Sequence, residues 1–389
     1  MESPFIYSSH VTGRHFIGRK DDCAILGNFI SGGNHVALIS PAKSGKTSLI
    51  QQALLKIRIS GSQFIVGEFN AMNIRDIPSF LKRFGSTVLR AFAVSPGEYE
   101  EIVKNYLSGT HFVFDSLSYE LRDEVISLSW DIDDSDIEAM ITLPFRLADE
   151  KQTNLVLIME EFQSILHTGE SDRLFKIMRG VMEDYARRES LGGRCTMVFC
   201  GSQINAMTSV FYGSPYFFRI VERFSPSEID EREIIDYIHR GFMLSGKEID
   251  RSLLHGICRL FRCNMWYINH FISICDSLSR GYVVESMLME ALKDILAIHE
   301  SRFIATMNDL TTFQVNLLKA ILDGHTKFSS ADIIREYHLN TSANVKRLKE
   351  ALMKKEIVWF NEKDEPVVTD PLFEYWARKY YFESDRETN

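Results

Sequence analysis

Four short, largely apolar segments in the first half of the chain alternate with helical patterns. The segments are His35 to Ile39, Phe64 to Phe69, Leu155 to Met159 and Thr196 to Cys200. Strands of a parallel sheet have this composition when helices cover both faces of the sheet. Apolar residues also recur on one helical stripe from Leu49 to Ile57 and on another from Leu174 to Tyr185. The alternation predicts an α/β fold, with a doubly wound parallel sheet and right-handed crossovers between its strands.

The size and composition of the chain are those of an ordinary globular protein. It has 389 residues, of which 45% are hydrophobic and 25% charged. At roughly 150 residues per domain, this length suits two or three domains. The composition excludes wholesale disorder, a collagen-like repeat and a coiled-coil rod. The formal net charge is −9, so any contact with nucleic acid must come from a local basic face.

The sequence shows no sign of export or of a membrane span. The N-terminus has neither a basic start nor a long apolar stretch. The longest apolar runs, such as Leu155 to Met159, are much shorter than the ~20 residues that a bilayer needs. The six cysteines form no C-x-x-C pair and have no histidines at zinc-binding spacing, which favours reduced, buried thiols over a metal site or disulfides. These features predict a cytoplasmic protein without a membrane partner.

A phosphate-binding motif follows the first apolar segment. Residues Ser40 to Thr47 read SPAKSGKT, which nearly matches G-x-x-x-x-G-K-S/T and is called the phosphate loop below. Backbone N–H groups of such a loop converge on the β-phosphate at the positive end of the following helix. The predicted nucleotide-binding residues here are Lys43, Ser44, Gly45, Lys46, Thr47 and Ser48.

Three of these residues have distinct predicted roles. Gly45 lets the backbone approach the phosphate closely, Lys46 reaches the β- and γ-phosphates as a catalytic cation, and the Thr47 hydroxyl is a ligand of Mg²⁺. The alternative is a chance match in an ordinary turn between a strand and a helix. A buried strand before the loop and an amphipathic helix after it favour nucleotide binding, with ATP and Mg²⁺ as cofactors.

Polar residues follow the third and fourth apolar segments. Glu160 is predicted to hold Mg²⁺, and Glu161 to polarise the attacking water of a hydrolysis reaction. The alternative is that this pair only starts a solvated helix. The fourth segment ends in Gly201-Ser202-Gln203, at the strand end that faces the ligand crevice in such sheets. Ser202 or Gln203 is a candidate catalytic sensor of the γ-phosphate, and a simple turn is the alternative.

The segment from about Glu98 to Glu138 is less regular and contains an acidic patch. Its carboxylates are those of Asp131, Asp133, Asp134 and Asp136. A metal site is one interpretation of the patch. A solvated loop that leads into a helix is favoured, because negative charge is stabilising at a helix start.

From about Ser227 to Glu300 the pattern indicates helices only, and a further unit begins near Asp309. That unit has three helical patterns and then two short β segments. The third helix has Asn340 or Thr341 as its N-cap and buries Val345, Leu348 and Leu352, and the β segments are Ile357 to Phe360 and Pro366 to Thr369. Three helices and a hairpin predict a winged helix-turn-helix.

The third helix of this winged helix is basic. Its cations are Lys346, Arg347, Lys349, Lys354 and Lys355. A recognition helix uses such side chains on phosphates and base edges of double-stranded DNA, so Lys346, Arg347 and Lys349 are candidate DNA contacts. The unit from Asp309 has about as many acids as bases, so contact with a protein partner is the open alternative.

Six motifs taken together resemble those of the archaeal-ATPase-like STAND P-loop ATPases, which are relatives of the AAA+ origin-recognition proteins. The motifs are Phe16-Ile-Gly-Arg19 (family F-I/V-G-R), SGKTSLI (the P-loop), MEEFQ (IDEFQ), CGSQ (the sensor strand), Phe211-Tyr-Gly213 (LYGR) and Asp370-Pro-Leu-Phe373 (DPLF). The resemblance covers nearly the whole chain. It implies that Phe16, Ile17 and Arg19 lie beside the adenine of a bound nucleotide. It also implies an ATPase core at residues 1–226, a helical lid at 227–308 and a winged helix at 309–389.

The chain departs from the family pattern at several positions. Ser40 replaces the first glycine of the loop, Glu160 replaces the usual aspartate, and Ser214 stands where arginine often follows LYG. Arg219 and Arg223 are nearby alternatives for an arginine finger. The lid motif G-x-P reads Cys-Asn-Met at residues 263–265, so no lid sensor is assigned.

Three functions are compatible with these motifs. The favoured one is a slow, Mg²⁺-dependent ATPase that acts as a nucleotide-driven conformational switch, either as a monomer or as a homo-oligomer. The second is a non-enzymatic DNA-binding regulator that uses ATP structurally. The third, a small-molecule kinase, fits less well, because the acidic pair is placed to act on water and a winged helix has no role in such an enzyme.

Overall fold

The computed structural model describes residues 3–188 and 192–383, which form two compact units. The sheet unit comprises Lys20–Ser40 and Leu49–Pro226, and the helical unit comprises Met1–Arg19, Pro41–Ser48 and Ser227–Asn389. The phosphate loop from Pro41 onward thus belongs to the helical unit by its contacts.

The described residues form the strands β1 (His35–Leu38), β2 (Ile65–Asn70), β3 (Phe112–Val113), β4 (Ser127–Leu128), β5 (Leu155–Glu160), β6 (Cys195–Cys200), β7 (Val221–Phe224), β8 (Glu248–Ile249), β9 (Tyr282–Val283), β10 (Val358–Phe360) and β11 (Pro366–Val368). The α-helices up to the end of the sheet unit are α1 (Lys20–Ser31), α2 (Lys46–Ile59), α3 (Ile77–Phe92), α4 (Pro96–Tyr106), α5 (Ser116–Arg122), α6 (Asp134–Glu150), α7 (Ser171–Arg187) and α8 (Ile204–Thr208). Those that follow in the helical unit are α9 (Glu231–Leu244), α10 (Arg251–Leu260), α11 (Met265–Leu278), α12 (Glu285–Asn308), α13 (Thr312–Leu322), α14 (Ala331–Glu336), α15 (Ser342–Lys354) and α16 (Pro371–Trp376). Within the described parts of the chain, no helix has both the length and the apolar character to cross a bilayer.

The central sheet has the strand order β2-β5-β6-β1-β7, and every neighbouring pair is parallel. Val36 of β1 lies opposite Val198 of β6, and all residues of both strands are buried. Because the strands are parallel, Leu38, Glu160 and Cys200 end their strands at the same edge of the sheet. The predicted α/β fold with a parallel sheet is confirmed.

The sequence analysis missed five of the shorter strands, which are β3, β4, β7, β8 and β9. In the edge strand β7, Glu222 and Arg223 are exposed, so the strand lacks the continuous apolar run of its neighbours. The prediction that residues 227–300 contain helices only was wrong, because β8 and β9 pair in parallel, with Glu248 opposite Tyr282. Two-residue strands leave no periodic pattern in a sequence.

The segment between α3 and α6 is more regular than predicted. It contains α4, α5 and the antiparallel pair β3-β4. The acidic patch forms the start of α6, where the Asp133 side chain accepts hydrogen bonds from the backbone N–H groups of Ser135 and Asp136. The Asp136 side chain in turn accepts from the backbone N–H of Asp133 at 2.8 Å and from that of His111. This reciprocal capping agrees with the interpretation of the acidic patch as the start of a helix.

Five buried phenylalanine rings pack together in the sheet unit. They belong to Phe162, Phe175, Phe199, Phe211 and Phe217. The ring of Phe162 lies 4.7 Å from that of Phe199 on β6 and 5.8 Å from that of Phe211. Because the side chain of Phe162 is fully buried in this cluster, the turn that follows β5 is held against the end of β6.

A winged helix follows α12 in the helical unit. Helices α13, α14 and α15 precede an antiparallel hairpin of β10 and β11. Thr341 caps α15, since its hydroxyl accepts from the backbone N–H of Asn344 at 3.2 Å, and Val345, Leu348 and Leu352 are buried as predicted. The predicted winged helix-turn-helix is confirmed.

One carboxylate connects three helices of the helical unit. Asp370 caps the start of α16 by accepting from the backbone N–H groups of Leu372 and Phe373. Its Oδ2 atom also accepts from the hydroxyl of Tyr267 on α11 at 2.6 Å and from the guanidinium of Arg302 on α12 at 2.7 Å. The first residue of the DPLF motif is thus a structural link between these helices.

We expect the sheet unit to lose stability in mild acid because of a buried histidine. Burial lowers the pKa of His35 to about 4, and its Nδ1 atom accepts the backbone N–H of Met197 at 3.0 Å. Below the ordinary histidine pKa, the unfolded chain takes up a proton that native His35 does not. The free energy of unfolding therefore falls as the pH drops from about 6.5 to about 4, by about 3 kcal/mol from this group.

A denaturant titration of wild type and His35→Gln at several pH values measures this contribution. Glutamine keeps a hydrogen-bond acceptor but does not titrate. The other histidines are present in both proteins, so the difference between the two curves isolates His35. Parallel curves between pH 4 and 6.5 would contradict the prediction.

Candidate functional site

The backbone of the phosphate loop has the shape of an anion-binding turn. Lys43 and Gly45 have left-handed φ values of 60° and 87°, and α2 begins at Lys46. Glycine adopts such a φ without strain, which explains the residue type at position 45. Successive N–H groups in this conformation face one concave side, at the positive end of the helix. The loop can therefore bind a phosphate group through its backbone.

The N-terminal segment is attached to this loop by hydrogen bonds. The Arg19 guanidinium donates to the carbonyl oxygens of Ser44 at 2.5 Å and of Ser227 at 2.8 Å. The backbone N–H of Val11 donates to the Ser48 hydroxyl at 3.1 Å. The structure thus brings Arg19 of the F-I/V-G-R-like box beside the phosphate loop.

The neighbouring residues of the box pack against the helical unit. A side chain at Gly18 would place its Cβ 2.7 Å from the Ile229 Cγ2 atom and 2.9 Å from a carboxylate oxygen of Glu233, so only glycine fits there. Ile17 packs against the core of the unit, and Phe16 is half-buried. The glycine therefore allows the box to lie close to the start of α9.

The side chain of Lys46 points back toward its own loop. Its Nζ atom donates to the carbonyl oxygen of Pro41 at 2.8 Å. A phosphate group placed in the loop offers this ammonium a charged acceptor in place of a neutral carbonyl, which is the stronger hydrogen bond. Thr47 follows Lys46 in the first turn of α2 and is half-buried.

The two acidic candidates occupy different positions at the end of β5. Glu160 is the last residue of the strand and lies opposite Asn70 of β2. Glu161 has a left-handed φ of 52°, so the chain turns sharply between the strand and the buried Phe162. This turn, rather than the start of an α-helix, sets the direction of the Glu161 side chain.

Two neutral side chains donate to one oxygen of Glu161. The Ser202 hydroxyl lies 2.7 Å from Oε2, and the Nε2 atom of Gln163 lies 2.6 Å from it. The contact to Ser202 joins the ends of β5 and β6, as expected for residues at the same sheet edge. Of the two candidate sensors of the γ-phosphate, it is Ser202 and not Gln203 that forms this hydrogen bond with Glu161. The result is a carboxylate oriented by two donors.

Gln163 is a site residue that the sequence analysis did not assign. Its side chain is 98% buried, and among the described residues its Oε1 atom has no hydrogen-bond partner. An added Cβ at Gly201 would lie 1.9 Å from that Oε1 atom, so glycine at 201 makes room for the amide. The Q of MEEFQ was the available signal, two residues after Glu161.

Arg219 and Arg223, the two alternatives for an arginine finger, stack on exposed aromatic rings. The Arg219 guanidinium lies 5.1 Å from the Phe218 ring centroid, and that of Arg223 lies 4.3 Å from the ring of Tyr212. Ser214 accepts the backbone N–H of Tyr216 at 3.2 Å. These contacts are local to the sheet unit and assign no catalytic role to either arginine.

The basic side chains of α15 divide into two groups. Lys346, Arg347 and Lys354 are exposed, and none of them forms an ion pair with a residue that the structure describes. Lys349 instead lies 3.2 Å from the Asp364 carboxylate and 4.0 Å above the Phe360 ring, and Lys355 pairs with Asp309. The first group is available to an external anion, whereas the second is already paired.

The comparisons with known proteins agree with this architecture. Residues 301–379 match a family described as "Probable winged helix domain". The Walker-type ATPase PABY2304 of Pyrococcus abyssi is similar in structure, with a TM-score of 0.65, 14% identity, and coverage of 96% of this chain and 99% of that one. The ORC2 protein of Aeropyrum pernix, solved as ADPNP-ADP complexes, has a TM-score of 0.56, 14% identity, and coverage of 92% and 93%. No curated protein sequence is significantly similar to the chain.

At 14% identity these likenesses concern the fold. The chain shares the fold of these two structures, and it has a parallel-sheet α/β unit and a C-terminal winged helix, as the sequence predicted.

Proposed function

We propose that this chain binds Mg-ATP and hydrolyses it slowly, as a switch whose nucleotide state sets the conformation of the helical lid and the winged helix. The observation that supports this proposal most directly is the geometry of the phosphate loop. Lys43 and Gly45 have left-handed backbone conformations and precede the start of α2 at Lys46. A nucleotide ligand is supported by the hydrogen bond that attaches Arg19 of the F-I/V-G-R-like box to Ser44 of this loop. The proposal keeps residues 1–226, 227–308 and 309–389 as core, lid and winged helix.

The oxygen donors of the chain suit a hard divalent cation. Thr47 supplies a hydroxyl at the start of α2, and Glu160 a half-buried carboxylate at the end of β5. Mg²⁺ takes ligands of this class together with phosphate oxygens and waters. When bound, the ion neutralises charge that develops on the phosphates. We assign Thr47 and Glu160 as its protein ligands.

Glu161 is assigned as the general base. Its carboxylate can accept a proton from a water molecule, while Lys46 stabilises negative charge on the phosphates. The hydrogen bonds from Ser202 and Gln163 orient the Glu161 carboxylate.

Phosphate release from ATP, measured without any acceptor molecule, tests the proposal. A hydrolase releases phosphate in stoichiometric excess over protein. A regulator that uses ATP structurally binds the nucleotide and leaves it intact. A kinase transfers the γ-phosphoryl group to its acceptor and releases no phosphate in its absence. The absence of phosphate release from bound Mg-ATP would therefore exclude the proposed hydrolysis.

A second function is favoured by the exposed cations of α15. Lys346, Arg347 and Lys354 lie on the helix that a winged helix presents to the major groove, without ion-pair partners among the described residues. We therefore propose weak binding of double-stranded DNA through phosphates. The alternative occupant of this face is a protein partner, including a second copy of the chain.

The expected signature of this binding is its dependence on salt. Three phosphate contacts predict that log affinity falls with log salt concentration at a slope of about −2.7, since each contact contributes about −0.9. Charge reversal at Lys346 and Arg347 removes two contacts and is expected to reduce the slope to about −0.9. A titration of fluorescently labelled duplex at several salt concentrations measures both slopes.

A matched control separates the effect of this helix face on DNA binding from the effect of net charge. Reversal of Lys293 and Arg280, which are exposed elsewhere in the helical unit, changes the net charge by the same amount. The control protein should keep the wild-type slope. No binding of wild type at low salt would exclude the DNA function and leave the winged helix as a protein-contact module.

A further inference from the structure

Lys43 of the phosphate loop contacts two aromatic rings at the start of α11. Its Nζ atom lies 3.6 Å from the centroid of the Trp266 ring and 4.8 Å from that of Tyr267. The Asn264 side chain caps α11 by accepting from the backbone N–H groups of both aromatic residues. The ammonium therefore rests on a fixed pair of rings, in an arrangement that attracts a cation.

Two neutral histidines complete the surroundings of these rings. The His270 ring stacks on that of Tyr7, with centroids 4.3 Å apart, and the His299 ring lies 5.8 Å from that of Trp266. Burial, followed by the charge of Lys43, lowers the pKa of both histidines, to about 4 for His299. In the described chain neither His270 Nδ1 nor His299 Nε2 has a hydrogen-bond partner. The histidines thus supply no negative charge to Lys43.

The nearby charged groups also leave Lys43 uncompensated. The charge of Asp370 acts to raise the pKa of Lys43, but this carboxylate is already hydrogen bonded to Arg302 and Tyr267. Among the described residues, no carboxylate lies within ion-pair distance of the Lys43 ammonium. The pKa of Lys43 is lowered to about 8. The larger cause is burial, and the second is the positive charge of Arg302. The ammonium is a desolvated cation without a counter-ion.

We infer that Lys43 is a second, switchable phosphate ligand, which Trp266 and Tyr267 hold when the loop is empty and which a bound nucleoside triphosphate withdraws. The inference rests on the proposed nucleotide binding and gives the side chain of Lys43, one of the predicted binding residues, a specific role in it. A triphosphate offers Lys43 the anion that its present surroundings lack, and the phosphate loop already carries this side chain. The aromatic rings and the phosphates therefore compete for one ammonium group.

This competition links nucleotide occupancy to the helical unit. When Lys43 leaves the rings, α11 loses a contact with the loop, and α11 is joined to α12 and α16 through Tyr267 and Asp370. The contact between Lys43 and the aromatic rings also opposes nucleotide binding, because it stabilises only the loop without nucleotide. Removal of the Trp266 ring should then strengthen the binding of Mg-ATP.

The affinity for Mg-ATP, measured by isothermal titration calorimetry, tests the inference with three variants. Trp266→Met replaces the ring by an apolar side chain and is expected to bind Mg-ATP about 10-fold more tightly, which corresponds to about 1.4 kcal/mol. Lys43→Met is expected to bind more weakly than wild type. In the double variant, the gain from Trp266→Met should disappear, since no ammonium is left to compete for.

Tryptophan fluorescence gives a second readout that a change in folding would not imitate. Mg-ATP should change the emission of wild type, and this change should be lost in Lys43→Met and in Trp266→Phe, a variant that keeps a ring of similar shape. Thermal melting of the nucleotide-free variants verifies that each is folded.

The failures of the two proposals are distinguishable. If wild type does not bind Mg-ATP, the proposed function fails and this inference fails with it. If wild type binds Mg-ATP but Trp266→Met has the same affinity and the emission does not change, only the role of Lys43 is refuted.

Discussion

The Glu161→Gln variant should bind Mg-ATP with nearly the affinity of wild type but release phosphate about 10²- to 10⁴-fold more slowly, the usual contribution of a general base. Glutamine is isosteric with glutamate and can still contact Ser202 and Gln163, which now donate to Glu161. It cannot accept a proton from water at neutral pH. Single-turnover phosphate release and equilibrium binding, measured on the same preparation, separate these two properties.

Glu160→Gln is the matched control for this variant. It removes one charge from the adjacent position, which ends β5 rather than forming the turn. We expect a higher Mg²⁺ requirement and weaker nucleotide binding together. If Glu161→Gln hydrolyses ATP at the wild-type rate, Glu161 is not the base and the catalytic assignment is wrong.

The second large effect is expected from Lys46→Ala. Mg-ATP at 100 times its dissociation constant should stabilise wild type by about 2.7 kcal/mol, because it binds the native phosphate loop and not the unfolded chain. Alanine removes the ammonium that now donates to the Pro41 carbonyl, and most of this stabilisation should be lost. Thermal melting with and without millimolar Mg-ATP, at about this saturation, measures the difference.

Lys293→Ala serves as the control, since Lys293 is an exposed lysine of α12. It should keep the full nucleotide-dependent shift. A shift that survives in Lys46→Ala would place the nucleotide outside the phosphate loop. A wild-type melting temperature that does not change with Mg-ATP would remove the basis of the proposed function.

The sequence was sufficient for the parts of the fold that depend on local pattern. Buried strands such as β5 and β6 are continuously apolar, and the phosphate loop lies between such a strand and an amphipathic helix. The winged helix was predictable because Thr341 caps a helix whose apolar residues recur at helical spacing. In each case the signal lies within a few consecutive turns or strands.

The remaining features depend on residues that are distant in sequence. The exposed Glu222 and Arg223 conceal the edge strand β7, which is a strand because β1 pairs with it. The carboxylate of Glu161 is oriented by Ser202 on a neighbouring strand, and Lys43 meets Trp266 only in the folded chain. A single sequence shows the residue types of such contacts but not which of them meet.

The DPLF motif, which begins at Asp370, has a consequence for how the C-terminal half of the chain unfolds. One carboxylate caps α16 and accepts from side chains of α11 and α12. Loss of any one of these helices removes a hydrogen-bond partner from the others, among them the hydroxyl of the buried Tyr267, which raises the free energy of a partly opened state. The three helices should therefore open and close as a single cooperative unit, or foldon. The single carboxylate of Asp370 thus makes the unfolding of separate helices one event.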